Sequence, residues 1–280
     1  FPDDFINYIK KIYELNYDRK KILKKEILDL SNLLVKNNIE HVFIKGRAFI
    51  NSDIYSNIGE RMIGDIDILI NNNQSKVAFE LLESYGYLGK EKNRFFEEEK
   101  KHLNRQVNKK KLFAVELHTR LIDNKNFKYL NNKMMLSNFF VNNGIKTASL
   151  KNQLIHNIYN YQCNDAGYFL LNYSYRNLFD TYMLIKKIGR KNIIIGSDRY
   201  IDRYFIINNY LQIEQFNHFS HKTKKIILNL MFLALKNKKI KSLWIQIYKM
   251  KKKIKWLPKQ IKEILMNKKY RDYLLKKLKS

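Results

Sequence analysis

The stretch that most constrains this chain is FIKGRAFINSDIYSNIGERMIGDIDILI, residues 43–70. An apolar run ends at a Lys45-Gly46 corner, and a second apolar run carries Asp65 and Asp67 one residue apart. Side chains alternate across a strand, so Asp65 and Asp67 share one face while Ile66 and Ile68 take the other. Two carboxylates held side by side repel each other. The pair is stable where that face meets water or where a cation sits between them. Taken alone, the two aspartates read equally as solvated residues of a half-buried strand, as turn residues, or as metal ligands.

The flanking patterns give this stretch a setting. Apolar residues at spacings of three and four predict helices over residues 4–37. EHVFIK, residues 40–45, predicts a short buried strand, and a short helix follows from Gly46. IGDIDILI predicts a second strand, closed by the polar loop NNNQ. QSKVAFELLESYGY predicts an amphipathic helix that stops at Gly86. KHLNRQVNKKKLFAVELHTRL predicts a hairpin with NKKK as its turn. From about residue 147 onward every pattern is helical. These readings give an α+β chain: a mixed α/β domain over residues 1–140 and a helical, strongly basic domain over residues 141–280.

Composition narrows the class. Apolar residues make up 45% of 280, enough for a sizeable core and too many for a disordered chain. Only two prolines and nine glycines interrupt it, which favours long helices. The single cysteine, Cys163, excludes an internal disulfide framework and is expected to be a buried small residue. With no apolar run near the ~20 residues that cross a bilayer, and no visible signal peptide, a cytoplasmic location is expected. The formal charge of +28 draws polyanions; a chain this rich in Lys, Asn, Ile and Tyr is equally what AT-rich coding would produce with no functional cause. The last stretch, residues 222–280, holds 20 Lys or Arg against Glu263 and Asp272. It reads either as amphipathic helices with solvated lysine faces or as a platform for RNA or an anionic membrane.

Two neighbours sharpen the aspartate pair. The Lys45-Gly46 corner stands at a strand-to-helix junction, where backbone N–H groups receive phosphate and glycine admits it closely. Downstream, VELH places Glu116 and His118 on one face of another strand. Three acids on strands beside a glycine-led helix suit two-metal phosphoryl transfer, with Mg²⁺ as the hard cation of choice.

This constellation resembles the nucleotidyltransferases of the DNA polymerase β superfamily, and more closely the family of uncharacterised nucleotidyltransferases. The resemblance rests on Lys45-Gly46, Tyr55, Arg61, Asp65, Asp67, Gly86-Tyr87 and Glu116-Leu117-His118 in that order, and continues weakly to Arg176 and Asp180. It covers roughly residues 25–190. Two departures stand out. Arg47 replaces the serine or glycine common after the corner glycine, and Glu116 replaces the more usual Asp.

The resemblance implies a polymerase β-like domain, a small mixed sheet with flanking helices, followed by an all-α C-terminal domain. It implies transfer of a nucleoside monophosphate from an NTP to a hydroxyl, with Mg²⁺ or Mn²⁺ as cofactor and pyrophosphate as leaving group. Asp65, Asp67 and Glu116 would be the catalytic and metal-binding acids. Lys45, Gly46, Arg47, Arg61, His118, Arg176 and Asp180 would stand at the nucleotide. Arg61 reads equally as an ion-pair partner of the acids, His118 as a packed residue, and Arg176 with Asp180 as a simple i,i+4 pair. The acceptor could be tRNA or a protein, or else a small molecule or glycan precursor. A non-catalytic module binding nucleic acid or membrane is the third reading.

Overall fold

A computed structural model describes residues 1–89, 101–122, 127, 129–170, 174–193, 195–196, 198–210 and 221–278. The charge run Glu97–Glu98–Glu99, to which no chemistry is assigned, lies outside the described residues.

The chain opens with one helix, α1 (Asp3–Lys36), where the spacing alone allowed two. Leu23, Ile27, Leu30 and Leu34 form its buried stripe. Then come β1 (His41–Phe43), α2 (Gly46–Asn51), β2 (Asp65–Ile70) and α3 (Ser75–Ser84). Gly86, at φ +85°, turns the chain out of α3 in a conformation that costs glycine little. The short strands β3 (Leu88–Gly89) and β4 (Gln106–Val107) precede β5 (Ala114–His118). β4 and β5 form the expected antiparallel hairpin. After α4 (Asn132–Ser137), a hairpin of β6 (Phe139–Asn142) and β7 (Ile145–Ala148) completes the sheet.

The seven strands run in the order β3-β4-β5-β2-β1-β7-β6. β2 lies at the centre, antiparallel to β1 and parallel to β5. The period-2 alternation sorts its side chains between two cores. Ile66, Ile68 and Ile70, with Val115 and Leu117 of β5, pack against Leu23, Ile27 and Leu30 of α1 and Ala78 and Leu82 of α3. On the opposite face Leu69, with Val42 and Ile44, meets a second cluster built from the helices that follow.

Those helices are α5 (Leu150–Tyr159), α6 (Gly167–Leu170), α7 (Tyr175–Ile188), α8 (Arg199–Tyr210), α9 (His221–Lys236), α10 (Lys238–Met266) and α11 (Lys268–Leu278). Leu154, Ile158, Leu178, Leu184 and Tyr204 join Val42 and Leu69 in a single apolar cluster, so residues on both sides of position 140 share one core. Among the described residues no helix is long and apolar enough to cross a membrane. The architecture is α+β: a small mixed sheet with flanking helices, followed by a helical C-terminal region.

Candidate active site

Asp65 and Asp67 stand on the face of β2 that turns toward the helical half. The parallel register of β2 and β5 sets Asp67 beside Glu116, Asp65 beside Ala114, and Leu69 beside His118. Glu116 and His118 therefore face the same way as the aspartates. One ligand atom each from Asp67, Glu116 and His118 falls within 4.8 Å of the others. His118 Nε2 lies 2.8 Å from Asp67 Oδ1 and 3.8 Å from Glu116 Oε2.

Lys45 closes the cluster from the corner. Its ammonium donates to Asp67 Oδ1 and sits 3.4 Å from His118 Nε2. The backbone at Lys45 has φ 57° and ψ −139°, a conformation a side chain rarely adopts. That turn sends the chain from β1 directly into α2. Strain of this kind survives only where the surroundings hold it, and it concentrates at functional sites. Gly46 leads α2; a Cβ there would meet Ile63 Cγ1 at 3.3 Å and Arg61 Nη2 at 3.9 Å.

The electrostatics follow from this geometry. Burial pushes the Asp67 carboxyl up, but the Lys45 ammonium and the His118 contact outweigh it and hold Asp67 well below the usual carboxylate range. Burial, reinforced by the Asp67 charge, raises Asp65. Burial draws Lys45 down, yet Asp67 and the other acids leave it above its ordinary value. Burial drives His118 down to about 4 against the pull of Asp67. A neutral His118 beside an ionised Asp67 carries its proton on Nε2 and donates it to Oδ1, because the carboxylate can only accept.

Four residues expected at the nucleotide, Arg47, Arg61, Arg176 and Asp180, stand outside this cluster. Arg47 is fully buried. Its Nε donates to the Asp65 carbonyl at 2.7 Å, and its guanidinium lies 4.6 Å from the centre of the Phe113 ring. Phe113 belongs to the apolar cluster on the α1 side of the sheet. Arg47 thus anchors the start of β2 from behind rather than facing the acids, and burial lowers its pKa to about 9.

Arg61 pairs with neither Asp65 nor Asp67. It grips Asp180 of α7 through Nε at 2.8 Å and Nη2 at 2.9 Å, and the Tyr55 hydroxyl donates to the same carboxylate. This brace ties the loop between α2 and β2 to α7, with Arg61 Nη2 beside Gly46. The i,i+4 pairing of Arg176 with Asp180 does not form: Asp180 is buried among Tyr55 and Arg61, while Arg176 is exposed on the first turn of α7.

Sequence reasoning did not foresee the Tyr55–Asp180–Arg61 brace or the His118–Asp67 contact. Both join residues far apart in sequence, 125 and 51 positions respectively. Tyr55 and Arg61 stood in the motif, but nothing local named Asp180 as their partner. A cavity of about 400 Å³ lies elsewhere, lined by Asp29, Leu33, Lys36, Tyr85, Tyr87 and Lys111. None of the clustered acids borders it.

A small mixed sheet with flanking helices is the fold that the resemblance to nucleotidyltransferases implies. The sequence profile described as "uncharacterised nucleotidyltransferase" matches residues 1–192, and the chain belongs to that family. Curated proteins give no match. Among solved structures, the antibiotic-resistance factor ANT(2'')-Ia in solution is similar at TM-score 0.42 and 8% identity, over 69% of this chain and 95% of that one. Crystalline ANT(2'')-Ia with adenylyl-2''-tobramycin gives 0.40 and 8%, over 68% and 99%. JHP933 from Helicobacter pylori gives 0.40 and 13%, over 88% and 98%.

Proposed function

We propose that this protein transfers a nucleoside monophosphate from an NTP to a hydroxyl acceptor and releases pyrophosphate. The observation that carries the reading is the in-register pairing of Asp67 with Glu116 on parallel strands, with Asp65 on the same face. Carboxylate oxygens are the donors that Mg²⁺ and Mn²⁺ prefer, and Asp67 and Glu116, with His118 beside them, bring ligand atoms within 4.8 Å of one another. Asp65, Asp67 and Glu116 are the residues that would hold the metal. When bound, it supplies charge neutralisation for the triphosphate and a lowered pKa for the acceptor hydroxyl.

The protein's own groups divide the remaining work. The Lys45 ammonium and the amides that open α2 around Gly46 offer positive charge and donors to the phosphates. His118 donates to Asp67 and fixes the orientation of that carboxylate. The Tyr55–Asp180–Arg61 brace holds the corner loop at a constant distance from β2. Arg47 restrains the Asp65 carbonyl, and through it the first acid.

The test is label transfer. Each α-labelled NTP is incubated with the protein, Mg²⁺ or Mn²⁺, and total RNA, a cell extract, or buffer alone. Label on RNA, on a protein or on a small molecule identifies the acceptor class. Absence of label in every arm, together with no NTP binding by calorimetry, refutes the reading.

A further inference from the structure

α10 spans 29 residues, about 43 Å of helix. Leu243, Ile247, Met250, Ile254, Leu257, Ile261 and Ile264 recur along it at alternating steps of four and three, so they form one continuous apolar stripe. Each is between 38% and 62% exposed. The helix already has a packed side. Trp244 rests on the Ile206, Ile207, Ile227 and Met231 cluster, and the Tyr248 ring lies 5.3 Å from that of Phe169. The stripe is a second apolar face, uncovered among the described residues.

Charge decides what fits it. α10 carries ten lysines and one acid, Glu263. Lys249, Lys251, Lys253 and Lys262 are exposed to either side of the stripe, with Lys251 Nζ also 5.6 Å from the Phe169 ring. A second copy of α10 laid along it would set lysine against lysine at both flanks, with Glu263 alone as opposite charge. RNA would satisfy the lysines and leave the seven apolar side chains in water. A lipid surface bearing phosphate satisfies both, because apolar side chains enter the acyl boundary while lysines reach the headgroups. α10 also lies outside the residues matched to the family, 1–192. The stripe is thus independent of the proposed chemistry.

We propose that α10 docks this protein in the plane of an anionic membrane surface, its apolar stripe at the headgroup–acyl boundary and its lysines on lipid phosphates.

Co-sedimentation of the full chain with vesicles tests this. The expected result is binding to phosphatidylcholine vesicles that contain phosphatidylglycerol, weakened by salt, and none to phosphatidylcholine alone. The double variant Ile254→Asp with Leu257→Asp, both at exposed positions, should bind at least about tenfold more weakly while keeping its circular dichroism and its affinity for polyadenylate RNA. Lys251→Glu with Lys253→Glu should also lose vesicle binding. No binding to either vesicle overturns the proposal, as does binding that the aspartate pair leaves unchanged. A dimer that the aspartate pair dissociates, without vesicle binding, assigns the stripe to a second copy. RNA affinity that falls with the aspartate pair assigns it to nucleic acid.

Discussion

The Lys45 ammonium and the His118 imidazole converge on the same atom, Asp67 Oδ1. Asp67 is therefore doubly held, while Asp65, more exposed, has only charge at a distance. The two aspartates of one motif do different work. Asp67 is tied to Lys45 and His118, whereas the Asp65 carboxylate is tied to neither.

This asymmetry predicts how Lys45 behaves when removed. In Lys45→Met, Asp67 keeps its burial and loses its counter-charge, so the protein should lose about 3 kcal/mol in chelator. Mn²⁺ should restore part of that loss, because a divalent ion can replace the ammonium beside the carboxylates. Urea unfolding of the variant with and without Mn²⁺ measures both effects. Equal stability of variant and wild type in chelator would contradict the pairing.

Backbone strain at Lys45 gives an independent check. Lys45→Ala and Lys45→Gly both delete the ammonium, but only glycine accepts φ 57° and ψ −139° without steric cost. Lys45→Gly should therefore be the more stable of the two by about 1 kcal/mol, the reverse of glycine's usual penalty. Denaturant midpoints of the two variants decide the matter.

The brace at α7 carries its own prediction. Asp180 is buried with the Arg61 guanidinium bound at two oxygens, so Asp180→Ala leaves a nearly buried cation unpaired. The expected loss is about 3–5 kcal/mol. Arg61→Ala with Asp180→Ala together should cost less than the sum of the single changes, because the double variant strands no charge. Additive losses in a double-mutant cycle would show that the pair is not coupled.

Acid sensitivity should track a buried histidine away from the acids. His41 is 1% exposed, its Nδ1 lies 2.8 Å from the Ile39 carbonyl, and burial lowers its pKa to about 4. The unfolded chain takes up a proton near pH 6.5 that the folded chain refuses until about pH 4. Its contribution is thus whole above about pH 6.5 and is lost as pH falls toward 4, about 3 kcal/mol in all. Urea midpoints followed from neutral pH to acid should fall for the wild type and less steeply for His41→Gln.

Local pattern made much of this legible. Alternation in IGDIDILI and VELH put Asp65, Asp67, Glu116 and His118 on common faces, because a strand's period is fixed by its backbone. The Lys45-Gly46 corner was legible because a strand-to-helix turn with glycine has few geometries. The contacts of Arg47 were not legible locally, because they depend on Phe113, reached only when β2 and β5 pair. Lys20 shows the same limit. On sequence it is one lysine of a basic helix, yet it is 2% exposed, and burial with Arg61 and Arg47 nearby lowers its pKa to about 8. The β6–β7 hairpin carries a local signal that periodicity alone does not register: Asn143-Gly144, both at positive φ (51° and 76°), is a two-residue turn that joins antiparallel strands.

The most direct measurement is calorimetric titration with each NTP, in Mn²⁺ and in chelator, for the wild type and for Asp65→Asn. Asp65 is the cleaner position, since it anchors neither Lys45 nor His118. The account predicts NTP binding in Mn²⁺ that chelator abolishes. It also predicts an Asp65→Asn protein with native circular dichroism and affinity reduced by about tenfold or more. Binding of equal strength in chelator or in Asp65→Asn, or no binding of any NTP to the wild type, would contradict it.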